Sequence, residues 1–161
     1  MSEKNEKDSA ESVILQLVTF KLGKEEFGFD IFKVKEINKM MEITQIPNLQ
    51  KSIKGIVNLR GSIIPVISLR EKLNFPEIEN TSHTRIIVVE HFNKSIGFIV
   101  DEVSEVLRIE SSTIEQPPEM TTNVDSDYIT GVAKLENRLL ILLALDKILI
   151  QENKKLEALK N

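Results

Sequence analysis

A chain that writes one pattern of glycines and apolar residues twice must fold the two stretches alike, and this sequence does so. Displaced by 69 positions, Phe27, Gly28, Phe29, Val34, Glu36 and Ile37 fall on Ile96, Gly97, Phe98, Val103, Glu105 and Val106. Displaced by 76, Gly55, Ile56, Leu59, Ile63, Ile64, Val66, Ile67 and Leu69 fall on Gly131, Val132, Leu135, Leu139, Leu140, Leu142, Leu143 and Leu145. Duplication keeps glycine and core positions because backbone and burial demand them, whereas positions that diverge are freer to serve binding. The copies part where Asn58, Arg60, Gly61 and Pro65 face Lys134, Glu136, Asn137 and Ile141. The segment Asn58-Leu59-Arg60-Gly61 is thus what the first copy holds alone.

Between these anchors the chain reads as short strands and turns. Residues 13–22 and 26–30 form a hairpin around Gly23-Lys24, and Ile31 to Met40 reads as a short helical turn entering a strand. Ile43 to Ile46 reads as a strand stopped by Pro47, with a turn over residues 48–53. Two apolar runs, 55–59 and 63–69, flank Arg60-Gly61-Ser62, and glycine's tolerance of positive φ makes this a hairpin. Pro65 cannot donate to a ladder, so its strand is locally an edge or bulged. The polar stretch 71–84 connects the copies. The second copy runs through strands at 86–90 and 96–100, a bent apolar edge at Val103, Val106 and Ile109, a long surface loop over 110–127, and a last hairpin around Glu136-Asn137. From Asp146, the spacing of Ile148, Leu149, Glu152, Leu156 and Leu159 predicts an amphipathic helix that ends over 150–161. Residues 1–12 read as a flexible polar tail, and 13–149 as an all-β body of two small barrels.

Bulk properties narrow the function. A formal net charge of −4 supplies no basic field for nucleic acid or anionic lipid. The longest apolar run, Leu139 to Leu145, is seven residues, far below the roughly 20 that span a bilayer as a helix. No cysteine is present, which removes disulfides, thiolate nucleophiles and cysteine zinc sites, and matches a reducing cytoplasm.

Catalytic clusters are also missing from the line of residues. His83 and His91 lack the short spacing of a metal pair and read as structural. Asp125-Ser126-Asp127 lacks the glycine and the closing glutamate of a calcium loop and reads as a solvated turn. Asp101 and Glu102 are neighbours that point to opposite faces of a strand, so they read as solubilising charges. The sequence contains no phosphate-binding glycine loop, and Ser104 and Ser126 lack the context of a nucleophile elbow. The reading is a non-enzyme with no cofactor and no metal. Arg60, read as preceding a two-residue turn at the rim of the first half, offers five N–H donors to a carboxylate or carbonyl. Glu36 lies between Val34 and Ile37, and together with Arg60 they combine apolar anchoring with charge, as protein interfaces do. Gly55 recurs as Gly131, which favours a backbone role.

These segments resemble the CheW-type chemotaxis coupling proteins. The resemblance rests on Leu22 to Gly28 with Asp30-Ile31, on Val34-Lys35-Glu36-Ile37, on Lys54 to Gly61 followed by Ile63-Ile64-Pro65-Val66, and on Tyr128-Ile129-Thr130-Gly131, and it runs from about Val13 to Leu149. It implies two five-stranded SH3-like barrels sharing an apolar seam, with strands near the termini free to exchange between halves. It also implies a cytoplasmic adaptor that joins methyl-accepting chemoreceptors to the regulatory domain of the histidine kinase CheA, held at membrane receptor arrays through protein contacts. Carried over, Val34, Glu36, Gly55, Arg60 and Gly61 match receptor-binding positions, and Ile31 and Met120 match positions near kinase contacts. Met120 departs from the aromatic residue of the family pattern. The alternatives are a regulatory-domain fragment of a CheA-like kinase, a CheV-like coupling module, or a small β-barrel enzyme built from scattered carboxylates.

Overall fold

A computed structural model describes residues 12–47, 52–117 and 124–149. Its strands are β1 (Ile14–Leu22), β2 (Glu25–Asp30), β3 (Val34–Lys39), β4 (Ile53–Leu59), β5 (Ser62–Ser68), β6 (Arg85–His91), β7 (Lys94–Val100), β8 (Glu102–Glu110), β9 (Ile114–Glu115), β10 (Ile129–Leu135) and β11 (Arg138–Leu143). Tight turns close the hairpins with residues at positive φ: Gly23 after β1, Arg60 and Gly61 after β4, Phe92 and Asn93 after β6, and Asn137 after β10. Such turns follow the natural twist of paired strands. The helical turn expected before β3 is a one-turn 3-10 segment, Ile31–Lys33, capped where the Asp30 carboxylate accepts the Phe32 N–H at 3.0 Å.

The strands form two sheets of matching order. One runs β8-β1-β2-β11-β10-β9 and the other β3-β6-β7-β5-β4. Each sheet has one parallel pairing, β2 with β11 and β7 with β5, at equivalent places. The hairpin β1-β2 therefore sits among strands of the second copy, and the hairpin β6-β7 among strands of the first. Each SH3-like half is completed by the other copy's hairpin.

Three apolar clusters follow from this exchange. Val57, Ile64, Val66, Ile86 and Val88 fill one half, and Leu17, Ile109, Ala133, Leu140 and Leu142 fill the other. The largest cluster draws on both sheets and includes Phe20, Phe27, Phe29, Ile67, Ile87 and Phe98. Residues 145–149 begin a helix whose Leu145, Ile148 and Leu149 are buried in that shared cluster. The expected continuation through Glu152, Leu156 and Leu159 lies outside the described residues. Among those residues no helix is long and apolar enough to cross a membrane.

The structure corrects four local readings. The expected strand at Ile43 to Ile46 is a single bridge, Thr44 with Ile56, held by two 2.9 Å hydrogen bonds. Pro47 follows and has no N–H with which to extend it. The 110–127 loop contains a 3-10 turn, Ser111–Thr113, and the two-residue β9, which adds to β10 much as Thr44 adds to β4. Arg60 does not precede its turn but occupies the first turn position, with φ 52°. Asp101 is no solubilising charge: Arg70 grips its carboxylate with Nε at 2.8 Å and Nη2 at 2.6 Å, and the Gly23 N–H donates to it at 2.7 Å. Pro65 meets Ile56 on β4, but the ladder to β7 begins one residue later, at Val66.

The Arg70–Asp101 pair ties the connection between copies to the turn of the first hairpin. Burial pushes the Asp101 carboxyl up, yet the guanidinium and the Gly23 N–H outweigh it and hold the group below the usual carboxylate range. A carboxyl held low in the folded state contributes stability above its unfolded pKa and loses it as pH falls through the folded one. Arg70→Ala is therefore expected to cost about 2 kcal/mol at neutral pH, less than for a fully buried pair. Urea denaturation should show that cost shrinking as the solution is acidified below the ordinary carboxylate range. A cost unchanged by acid would mean that the contribution is not ionic.

Candidate functional site

β3 exposes alternate residues, and the period of two sets Glu36 and Asn38 on one side of it. This strand is one edge of the five-stranded sheet, and the β4–β5 hairpin is the other. Arg60 nevertheless donates from Nη2 to Glu36 Oε2, so the sheet curls until its edges meet. Asn38 donates from Nδ2 to the second carboxylate oxygen, Glu36 Oε1, at 2.8 Å. Across the gap, the Asn58 side chain accepts the Gly61 N–H at 2.8 Å and fixes the turn that presents Arg60. Two asparagines thus frame one acid–base pair.

The frame sets the charge. The Arg60 guanidinium first, and the Asn38 amide second, hold the Glu36 carboxyl below the usual carboxylate range. Glu36 is ionised at neutral pH and largely covered, with 21% of its side chain exposed, whereas Arg60 is 68% exposed. Arg60's remaining N–H groups have no partner among the described residues and face solvent. A guanidinium held at one end and open at the other can grip an oxygen of a partner protein.

The residues singled out from sequence divide by position. Glu36, Arg60 and Gly61 stand together at the closed rim; Gly61, at φ 89°, has open space where a Cβ would point. Gly55 lies five residues before Arg60 on β4, where the register shifts, and its backbone passes directly under Thr44. Val34 is half-buried and packs against the shared core, across a register shift from Glu36, while Ile37 is exposed. Ile31, also half-buried on that core, belongs to the turn before β3. Met120 lies outside the described residues.

Sequence reading missed two features. Asn38 is one; the two-residue spacing from Glu36 was the available signal. The other is a second acid–base pair. Aligning the copies set Arg60 against Glu136, yet Arg138, two residues on, donates from Nη2 to Glu105 at 2.5 Å. Its Nε lies 3.3 Å from Oε1 of the buried Glu26, close enough for an ion pair though not aligned as a hydrogen bond. Glu105 is the repeat mate of Glu36, so both halves join β3 or its counterpart β8 to the facing hairpin through Glu and Arg.

Comparison with known proteins agrees with this architecture. The family model described as "CheW-like domain" matches residues 16–153. The chain is 38% identical over 144 residues to the chemotaxis protein CheW of Klebsiella aerogenes, covering 89% of this chain and 87% of that one. It is 36% identical over 138 residues to CheW of Bacillus subtilis, covering 86% and 88%. Among solved structures, the scaffolding protein TtCheW of Thermoanaerobacter tengcongensis superposes with a TM-score of 0.76 at 39% identity, over 83% of this chain and 86% of that one. Two reciprocally completed SH3-like halves, a family model spanning nearly the whole described body and relatives matched over most of their length lead to one conclusion: the chain belongs to the CheW-like domain family of chemotaxis coupling proteins.

Proposed function

We propose that this chain is a non-enzymatic adaptor that couples methyl-accepting chemoreceptors to the histidine kinase CheA, in the cytoplasm, at receptor arrays that it joins through protein contacts alone. The observation that carries the reading is Arg60: a turn residue with positive φ, held by one carboxylate and otherwise open. Such a group recognises a carboxylate or carbonyl oxygen on a receptor tip while the neighbouring apolar residues anchor it. Val34, Glu36 and Gly61 complete the proposed receptor surface, to which Gly55 contributes by shaping the backbone of β4, and Ile31 with Met120 form the proposed kinase surface. Binding both partners at once raises their effective concentration and lets a receptor change bias the kinase equilibrium.

Arg60→Ala is expected to weaken binding of an isolated receptor tip about tenfold, the loss of one charge-assisted contact. Kinase regulatory-domain binding and the unfolding midpoint should stay where they are, because an exposed ion pair contributes little to stability. Calorimetric titration with each partner separates the two. Receptor affinity equal to that of the wild type would overturn the assignment.

A further inference from the structure

The two acid–base pairs differ in how their arginines are used. Arg138 is shared between two carboxylates, Glu105 and Glu26, and its side chain is 39% exposed. Arg60 has one carboxylate and is 68% exposed. A pair in each half shows that joining the edges of the curled sheet is common to both copies. What the first half adds is amides. Asn38 and Asn58 correspond to Leu107 and Lys134 in the second copy; Leu107 has no N–H to give a carboxylate, and Lys134 has no side-chain oxygen to accept a turn N–H.

We propose that Asn38 is a positioning residue, which aims Glu36 so that Arg60 is presented to a partner's oxygen atoms in one fixed orientation and thereby sets the specificity of the first-half surface. A carboxylate only accepts, so the Asn38 side chain must turn its NH₂ toward Glu36, leaving its own carbonyl on the far side. With Oε1 occupied by Asn38 at 2.8 Å, Oε2 is the oxygen left for Arg60. Without the amide, the carboxylate can rotate and the guanidinium can pair through either oxygen or leave altogether. Orientation lost in this way costs affinity without removing any atom that touches the partner.

The inference rests on the adaptor reading for its partner, and the test keeps the two apart. Asn38→Leu installs the residue found at the equivalent place in the second copy. In the free protein, the Glu36 carboxyl resonance followed by NMR should titrate at higher pH than in the wild type, because Asn38 is gone and only Arg60 and, more weakly, Lys35 still hold it low. Affinity for the receptor tip should fall about fivefold, the scale of one hydrogen bond. The unfolding midpoint and kinase-domain affinity should not move. In an Arg60→Ala background the same substitution should cost nothing further, since it acts only through Arg60. A Glu36 titration that does not move, or an undiminished loss in the Arg60→Ala background, would overturn the proposal. If Arg60→Ala alone leaves receptor affinity intact, the adaptor reading of this surface fails, while the Glu36 titration, which needs no partner, still decides whether Asn38 orients the pair.

Discussion

Gly55→Ala is expected to lower stability by roughly 3 kcal/mol, through strain and overpacking at one point. That corresponds to roughly 6 to 12 °C in unfolding midpoint for a chain of this size. A Cβ on Gly55 would lie 2.2 Å from the Thr44 carbonyl oxygen and 2.9 Å from Ile43 Cγ2, and the backbone φ of 149° is one that residues with a side chain rarely adopt. The oxygen is backbone, and it accepts the Ile56 N–H in the bridge that brings residues 43–45 onto β4, so it cannot simply rotate away. Gly131 repeats the arrangement: a Cβ there would lie 2.4 Å from Ile114 Cγ2 and 3.0 Å from the Glu115 carbonyl oxygen. In both halves a bulge glycine admits a crossing segment over the sheet edge. Loss of receptor binding in Gly55→Ala would then follow from displaced backbone, and kinase binding should weaken with it. Thermal unfolding decides the matter: a midpoint within a degree or two of wild type, with receptor binding alone lost, would make Gly55 a contact residue and sink this account.

Phe29→Ala is expected to cost about 4 kcal/mol, the upper range for an aromatic truncated in a well-packed core. Phe29 lies on β2 with its ring 4.8 Å from Phe20 on β1 and 5.8 Å from Phe98 on β7. All three side chains are fully buried. The ring thus bridges the six-stranded and five-stranded sheets, and removing it opens a cavity between the halves. Because each sheet borrows a hairpin from the other copy, the loss should appear as one cooperative transition moved to lower denaturant, seen alike by circular dichroism and by Tyr128 fluorescence. Two separated transitions, or a cost below about 1 kcal/mol, would show that the halves stand independently.

Much of this fold is legible in the residues, for physical reasons. Hairpins announce themselves through glycine and asparagine at positive φ, and Gly23, Gly61 and Asn137 all sit at the turns expected of them. The turn before β3 shows in Ile31, Val34 and Ile37, whose three-residue spacing gives way to β-branched chain. What stays hidden depends on contacts distant in sequence. Asp101 and Arg70 stand 31 positions apart, and no local pattern marks one as the partner of the other. β9, two residues long, is a strand only because Gly131 lets it approach β10. Of the candidate site, Glu36 and Arg60 could be named separately from their residue types, but their pairing required the sheet to curl. Alignment of the copies pointed away from Arg138, since a two-residue slip in the hairpin moved the guanidinium while leaving its task in place.

The reciprocal loan of hairpins also governs how such a chain comes off the ribosome. Strand β2 must wait for β11, and Glu26 meets Leu140 only after 114 further positions have been translated. Until then the N-terminal hairpin carries an unpaired strand edge that includes Phe27 and Phe29, a template for association with other nascent chains. The six-stranded sheet cannot be closed before β11 is made, so a product cut short by proteolysis or premature termination leaves the shared core open on one side, and cellular quality control should clear it rather than leave half an adaptor competing for partners.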